Sequence, residues 1–307
     1  MTMLMEGIIT PVVTPFHDDG SIDRASFGDM LEQLISAGVH SVIVGGSTGE
    51  FYAQTLAERV EMMELGSDVV RRRIPVMAGV SASRTEDSIT LATAARNLGL
   101  DGLLVGSPPY AAPTEKENAL HALRIDRAAG LPIMLYNYPG RTGSDMGPEY
   151  LSRVSRSPRF QAIKESSGDI DRLHLLAREF PHLSIACGAD DQALEFFVWG
   201  ARSWVCAGSN FLAAEHIALY EACAVKGDFE LGRRIMKAML PLMTTLERGG
   251  KFVQGVKFGA RIAGLPAGVP RQPLRSLTKE EKRELERVIR TLRTTVRSLH
   301  EVGSAHA

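Results

Sequence analysis

PVMAGVSASRTEDSITLATAARNLGLDGLLVG, residues 75–106, is the stretch whose reading decides the fold. An apolar run at 75–79 opens with a proline, and residues 86–97 then carry apolar side chains at helical spacing. Gly99 stands just past that helix, where a left-handed terminal residue is easiest for glycine. A second apolar run, 102–106, closes the stretch. Two short, continuously apolar runs joined by an amphipathic helix are the signature of a parallel strand–helix–strand unit covered on both faces.

The unit repeats in both directions. Apolar runs at 7–13, 41–45, 132–136, 160–164, 183–187 and 203–207 bring the number of predicted strands to eight. Segments 24–37, 56–71, 115–128, 169–179 and 192–199 between them have helical stripes. After the eighth run, segments 214–226, 229–246, 251–263 and 279–300 are helical by period, the last with alternating charges that suit a solvated face. An open doubly wound sheet would alternate in the same way, but no GxGxxG follows the first strand. The pattern predicts an α/β fold: a (β/α)8 TIM barrel over residues 1–226, with additional C-terminal helices over 227–307 packed on it.

Composition narrows the function. Thirty-five basic and 36 acidic residues in a chain of 307 give a net charge of −1, so no global field attracts nucleic acid or an anionic membrane surface. The apolar runs all fall short of the ~18 residues of a membrane helix, and a soluble, cytoplasmic protein is expected. The opening MTMLMEGIITPVVTPF lacks a basic leader segment and is interrupted by Pro11 and Pro15; it reads as mature sequence. Cys187, Cys206 and Cys223 form no CxxC pair, which predicts neither a disulfide framework nor a zinc site.

In such a barrel the chemistry sits at the C-terminal ends of the strands. That layer is polar here: Thr14, the run Gly45 to Glu50, Ser107 to Tyr110, Tyr136-Asn137, Lys164-Glu165, Gly188 to Asp191, and Gly208 to Asn210. Of eight lysines, seven lie in helices or at their ends and are read as solvated; Lys164 ends an apolar strand. Lost hydration lowers an amine's pKa toward neutrality, and a neutral amine adds to carbonyls to form an imine. Structural pairing with Glu165 is an equal reading from position alone.

Tyr136 and Tyr110 are phenols suited to proton relay, or core residues with one satisfied hydroxyl. The Gly45 to Gly49 run can cradle a carboxylate with its amides and the hydroxyls of Ser47 and Thr48, or be a plain tight turn. It lacks the spacing of a nucleotide phosphate loop. Arg141 sits in a Pro/Gly loop, where its planar fork suits a carboxylate or simply faces solvent.

Taken together, GSTGE at 46–50, YNYPGRTG at 136–143 and IKESSG at 163–168 resemble the motifs of the dihydrodipicolinate synthase / N-acetylneuraminate lyase family, and the likeness runs from about Glu6 to the final helix. The resemblance implies a metal-independent, cofactor-free Schiff-base lyase acting on a 2-oxo acid such as pyruvate and an aldehyde. By residue, it makes Lys164 the imine-forming lysine and Tyr136 the acid/base at the carbonyl carbon. Ser47 becomes the relay between Tyr136 and Tyr110, and Thr48 with Gly49 the carboxylate cradle. Gly188 and Val205 would line the pocket through their backbones. Tyr110 would reach the site of a neighbouring subunit, implying a dimer or a tetramer.

Arg141 matches the position that binds the aldehyde's carboxylate in the synthase branch. It favours condensation of pyruvate with aspartate semialdehyde over retro-aldol cleavage or dehydration of a sugar acid. Pro109, in place of a second tyrosine, and the Asp190-Asp191 pair are departures, the latter suited equally to sugar hydroxyls. Leu56, Arg59, Ser83 and Asp87 occupy the positions of the family's lysine-inhibitor site without its usual His and Asn, so no lysine feedback is expected. A barrel that binds a 2-oxo acid without turning it over is the alternative from outside enzymology.

Overall fold

In the computed structural model, which describes residues 5–304, eight parallel strands close on themselves in sequence order. The first four residues of the segment read as mature sequence, and the last three of the C-terminal extension, lie outside the described residues. The strands are β1 (Gly7–Pro11), β2 (Ser41–Val44), β3 (Val76–Gly79), β4 (Gly102–Gly106), β5 (Ile133–Asn137), β6 (Phe160–Glu165), β7 (Ser184–Cys187) and β8 (Ser203–Val205). β1 pairs with both β2 and β8, which closes the barrel. The eight-run pattern expected from sequence is thus the observed fold.

Helices α1 (Arg24–Ser36), α2 (Leu56–Val70), α3 (Thr85–Asn97) and α4 (Glu115–Ala129) follow the first four strands. A four-residue turn α5 (Pro139–Thr142) and helix α6 (Pro148–Val154) follow β5; α7 (Ile170–Glu179), α8 (Ala193–Val198) and α9 (Ala213–Tyr220) follow β6 to β8. Thr55 with Glu58 and Thr114 with Glu117 form reciprocal capping boxes that start α2 and α4. Helix α6 was not among the sequence-predicted segments; it is short, and Pro148 at its first position is its clearest signal.

Strand alternation sorts the core into two regions. Outward residues such as Leu103, Val105, Leu135 and Ile163 join the large cluster beneath the helices. Inward, each strand contributes one residue to a single layer: Ile9, Ile43, Met77, Leu104, Met134, Ala162, Ala186 and Val205. Two residues further along each strand direction stand Pro11, Gly45, Gly79, Gly106, Tyr136, Lys164, Gly188 and Ala207. Six of these are small or cyclic, so the mouth of the barrel is left to one tyrosine and one lysine.

After α9, the chain adds α10 (Phe229–Met243), a wide turn of π type at Thr244–Arg248, α11 (Phe252–Ile262) and α12 (Lys279–Ser304). α12 packs along α10 and α11, and α11 also touches the turn after β8. The extension therefore reaches the same end of the barrel as the polar strand ends.

The glycines of the mouth are sterically required. A Cβ on Gly79 would lie 2.7 Å from the carbonyl carbon of Gly45 and 2.9 Å from the amide of Gly46. Backbone cannot yield as a flexible side chain can, so Gly79→Ala is expected to cost about 3 kcal/mol, the upper end of the overpacking range. Urea denaturation should show this as a lowered midpoint with an unchanged slope, and an unchanged midpoint would contradict the close approach.

Candidate active site

Tyr136 and Lys164 are direct partners in the β5–β6 ladder and point to the same face. Lys164 is only 8% exposed, and its Nζ lies 4.2 Å from the centre of the Tyr136 ring. Gly188, on the other side, gives the lysine its room: a Cβ there would come within 2.7 Å of both Cγ and Cε of Lys164.

Glu165, the alternative partner for the lysine, faces the opposite way. Its carboxylate accepts from Asn137 Nδ2 at 2.9 Å and from the Ser167 amide at 2.8 Å, and pairs with Arg172 at 3.3 Å. Arg172 in turn donates to the Met146 carbonyl at 2.8 Å, and Asn137 Oδ1 accepts from the Met146 amide at 3.0 Å. This buried network fastens the ends of β5 and β6 behind the face that carries Lys164 and leaves Lys164 without Glu165. Alternation along the strand separates the two neighbours, which settles the choice between the two sequence readings against structural pairing.

Ser47 and Thr48 open a 3-10 turn, Ser47–Gly49, just past β2. The first bonds within it run from Gly49 N to Gly46 O at 3.0 Å and from Glu50 N to Ser47 O at 3.1 Å, so the amides of Ser47 and Thr48 precede the ladder. Both residues line a cavity of about 30 Å³ around Lys164, together with Tyr136, Arg141, Gly188 and Val205. Seven of the nine sequence-predicted site residues thus meet at one place. Gly49 lies outside the lining; its carbonyl accepts from Gln54 Nε2 at 2.7 Å, and a Cβ there would sit 2.9 Å from the Val12 oxygen. Tyr110 is also outside: it is fully exposed, with φ of 71°.

An adjoining hollow of about 210 Å³ shares Ser47, Tyr136, Tyr138 and Arg141 as walls and extends to Ser81, Ser107 and Pro109. Arg141 is held between two rings, its Cζ 5.3 Å from the centre of Tyr138 and 5.7 Å from that of Phe252. Burial works against the charge, but Tyr138 and Tyr136 hold the guanidinium above its ordinary pKa. A fixed, charged fork therefore faces the space beside Lys164.

Three contributors were missed in the sequence. Tyr138 stacks on Arg141; Phe252 and Glu247 enter the wall from the C-terminal extension. A fourth finding corrects the reading of the lysines. Lys257, on α11, is not solvated: it is 1% exposed, pairs with Glu50 at 2.5 Å and donates to the Val269 carbonyl at 2.7 Å. Burial pushes its pKa down to about 8, against the pull of Glu50. The apolar neighbours Val253, Val256 and Ala260 at helical spacing were the available signal that position 257 faces inward.

Glu50 is fully buried, has φ of 60° and ends the 3-10 turn. Its other carboxylate oxygen accepts from the Arg271 amide at 2.9 Å, and Arg271 pairs with Glu58 at 2.5 Å. The extension thus clamps the Ser47–Thr48 turn through one buried carboxylate. Cys187, Cys206 and Cys223 are free and buried, and burial raises the pKa of each thiol, as suits core residues. Among the described residues no group of His, Cys, Asp and Glu is arranged to hold a metal ion, and no helix is long and apolar enough to cross a membrane.

Residues 4–292 match the model of the Dihydrodipicolinate synthetase family. The chain belongs to that family. It is a lyase of the class I aldolase type, as the motif resemblance implied. A 4-hydroxy-tetrahydrodipicolinate synthase of Exiguobacterium sibiricum is 34% identical over 272 residues, 88% of this chain and 92% of the relative. Among solved structures, the 4-hydroxy-tetrahydrodipicolinate synthase of Methylacidiphilum fumariolicum SolV superposes with a TM-score of 0.91 at 28% identity, covering 97% of this chain and 99% of that one. A prophage protein of the same family from E. coli K12, solved in complex with pyruvate, gives 0.89 at 27% identity over 94% and 99%.

The clamp makes a test independent of chemistry. Lys257→Met strands the Glu50 carboxylate without its counter-charge and is expected to cost about 3–5 kcal/mol in urea unfolding. The double variant Glu50→Gln/Lys257→Met should recover most of that loss. Additive losses in the double variant would show that the pair is not coupled.

Proposed function

We propose that the chain condenses pyruvate with aspartate semialdehyde, as a 4-hydroxy-tetrahydrodipicolinate synthase. The observation that carries this reading is the placement of Lys164 Nζ against Tyr136 with the Arg141 fork across the same cavity. Family membership and the similarity to synthases of that name support it.

The pyruvate carboxylate lies on the Thr48 side chain and the free amides at the head of the 3-10 turn, where backbone N–H groups favour an anion. Lys164 Nζ adds to the ketone carbon, and water leaves as the protonated imine forms. Tyr136, beside the nitrogen, carries protons to and from the reacting carbons, with Ser47 passing them outward. Loss of a methyl proton gives the enamine, whose carbon attacks the aldehyde while Arg141 holds the aldehyde's carboxylate. The new product's amine closes onto the imine carbon and displaces Lys164, which returns to its free form. No metal or organic cofactor enters these steps. Gly188 and Val205 shape the floor.

Tyr110 completes the relay from a second copy of the chain. A fully exposed tyrosine held at positive φ is costly for a monomer and well suited to insertion into a partner, which supports a dimer, or a tetramer of two dimers. A cytoplasmic setting suits the three free thiols. Retro-aldol cleavage or dehydration of a sugar acid is the second reading, favoured by the carboxylate of Asp190 in the cavity wall, which can accept from hydroxyls.

Steady-state condensation separates the two. Arg141→Ala is expected to raise KM for aspartate semialdehyde by about 10- to 100-fold, the scale of a lost bidentate carboxylate contact, with KM for pyruvate little changed. Cleavage of 2-keto-3-deoxy sugar acids without any condensation would overturn the synthase assignment.

A further inference from the structure

Two acids in the cavity wall have no part in the steps above. Asp190 follows β7, is 2% exposed, and has one oxygen fixed by the indole of Trp204 at 2.8 Å. Glu247 comes from the π-type turn of the C-terminal extension. Both face the same cavity as Lys164 and Arg141. We propose that Asp190 and Glu247 form a subsite for the ammonium group of the second reactant, so that this acid pair and Arg141 together recognise an α-amino acid head group. The inference rests on the condensation reading and names what its second subsite selects.

Charge balance is the reason. Burial and the field of Glu247 raise the pKa of Asp190, and burial raises that of Glu247 against the pull of Lys164 and Arg141. Both acids stand in the wall of the cavity that Arg141 also lines, so carboxyl oxygens and a guanidinium are presented to one bound molecule. When an aldehyde's carboxylate occupies Arg141, that guanidinium no longer faces the acids of the same wall alone, and they lack a cation of their own on the bound molecule. An ammonium on the neighbouring carbon restores the balance, whereas a hydroxyl donates a hydrogen bond without charge. Trp204 holds Asp190 at a fixed angle, so that carboxyl is a built acceptor rather than a mobile one.

The geometry also explains why the extension enters the site. Glu247 is the part of the pair that the barrel itself does not supply. A synthase of this shape reads pyruvate with the barrel loops and the second reactant partly with the extension.

The test compares aspartate semialdehyde with succinate semialdehyde, which keeps the carboxylate and aldehyde but lacks the ammonium, by initial rates of carbon–carbon condensation in the intact oligomer. The ratio of kcat/KM for the two should favour the ammonium-bearing aldehyde in the unaltered protein. It should fall by about 10- to 100-fold in Glu247→Gln, as for a lost hydrogen bond to a charged group. Asp190→Asn, which still accepts from Trp204, should lower the same ratio and guards against a folding defect in one variant. An unchanged ratio in both variants overturns the subsite. If Glu247→Gln abolishes cleavage of a hydroxylated sugar acid instead, the pair binds hydroxyls and the ammonium assignment is wrong. Condensation of neither aldehyde, with the pyruvate adduct still formed, overturns the assigned reaction itself and the subsite with it.

Discussion

Space at the mouth of the barrel is the constraint on which the site depends. An eight-stranded barrel has an interior just wide enough for side chains to fill it, and one full layer of apolar residues does so here. The next layer cannot be filled in the same way and still hold a buried lysine beside a cavity. Glycine at 45, 79, 106 and 188 solves the problem by letting backbones and the lysine stem approach closely. Lys164 is then buried by contact with Tyr136 and Gly188 rather than by an ion pair. Among the described residues no ion pair holds its nitrogen, which is what the proposed addition to a carbonyl requires.

Two further devices protect that arrangement. Behind the face that carries Tyr136 and Lys164, Glu165, Asn137 and Arg172 satisfy one another and join the ends of β5 and β6. Above it, the Lys257–Glu50 pair ties the Ser47–Thr48 turn to α11. Burying a charge pair brings little net stability compared with apolar packing, but breaking one is costly, so such a pair favours a single geometry. The C-terminal helices are therefore part of the candidate site: they clamp the Ser47–Thr48 turn and supply Phe252 and Glu247 to the cavity wall.

The barrel was legible because parallel strands buried on both faces leave continuous apolar runs, and because helices of ordinary length separate them. Lys164 and Tyr136 were legible for a related reason: each ends such a run, and adjacent strand ends in a closed barrel must meet. Glu247, Phe252 and Lys257 were not, since their contacts depend on how the extension folds back over the barrel, and no local period encodes that path. Lys257 was misread by residue type, a lysine on a helix being usually solvated, although its apolar neighbours marked an inward face. Tyr110 is legible only as a phenol in the loop after the fourth strand, and within one chain it is fully exposed.

Trapping of the imine tests the central claim most directly. The protein is incubated with pyruvate, reduced with borohydride, digested, and its peptides are weighed by mass spectrometry. The account predicts one stable adduct, on Lys164, with none on Lys257 despite its burial. An adduct on another lysine, or none at all, would contradict it.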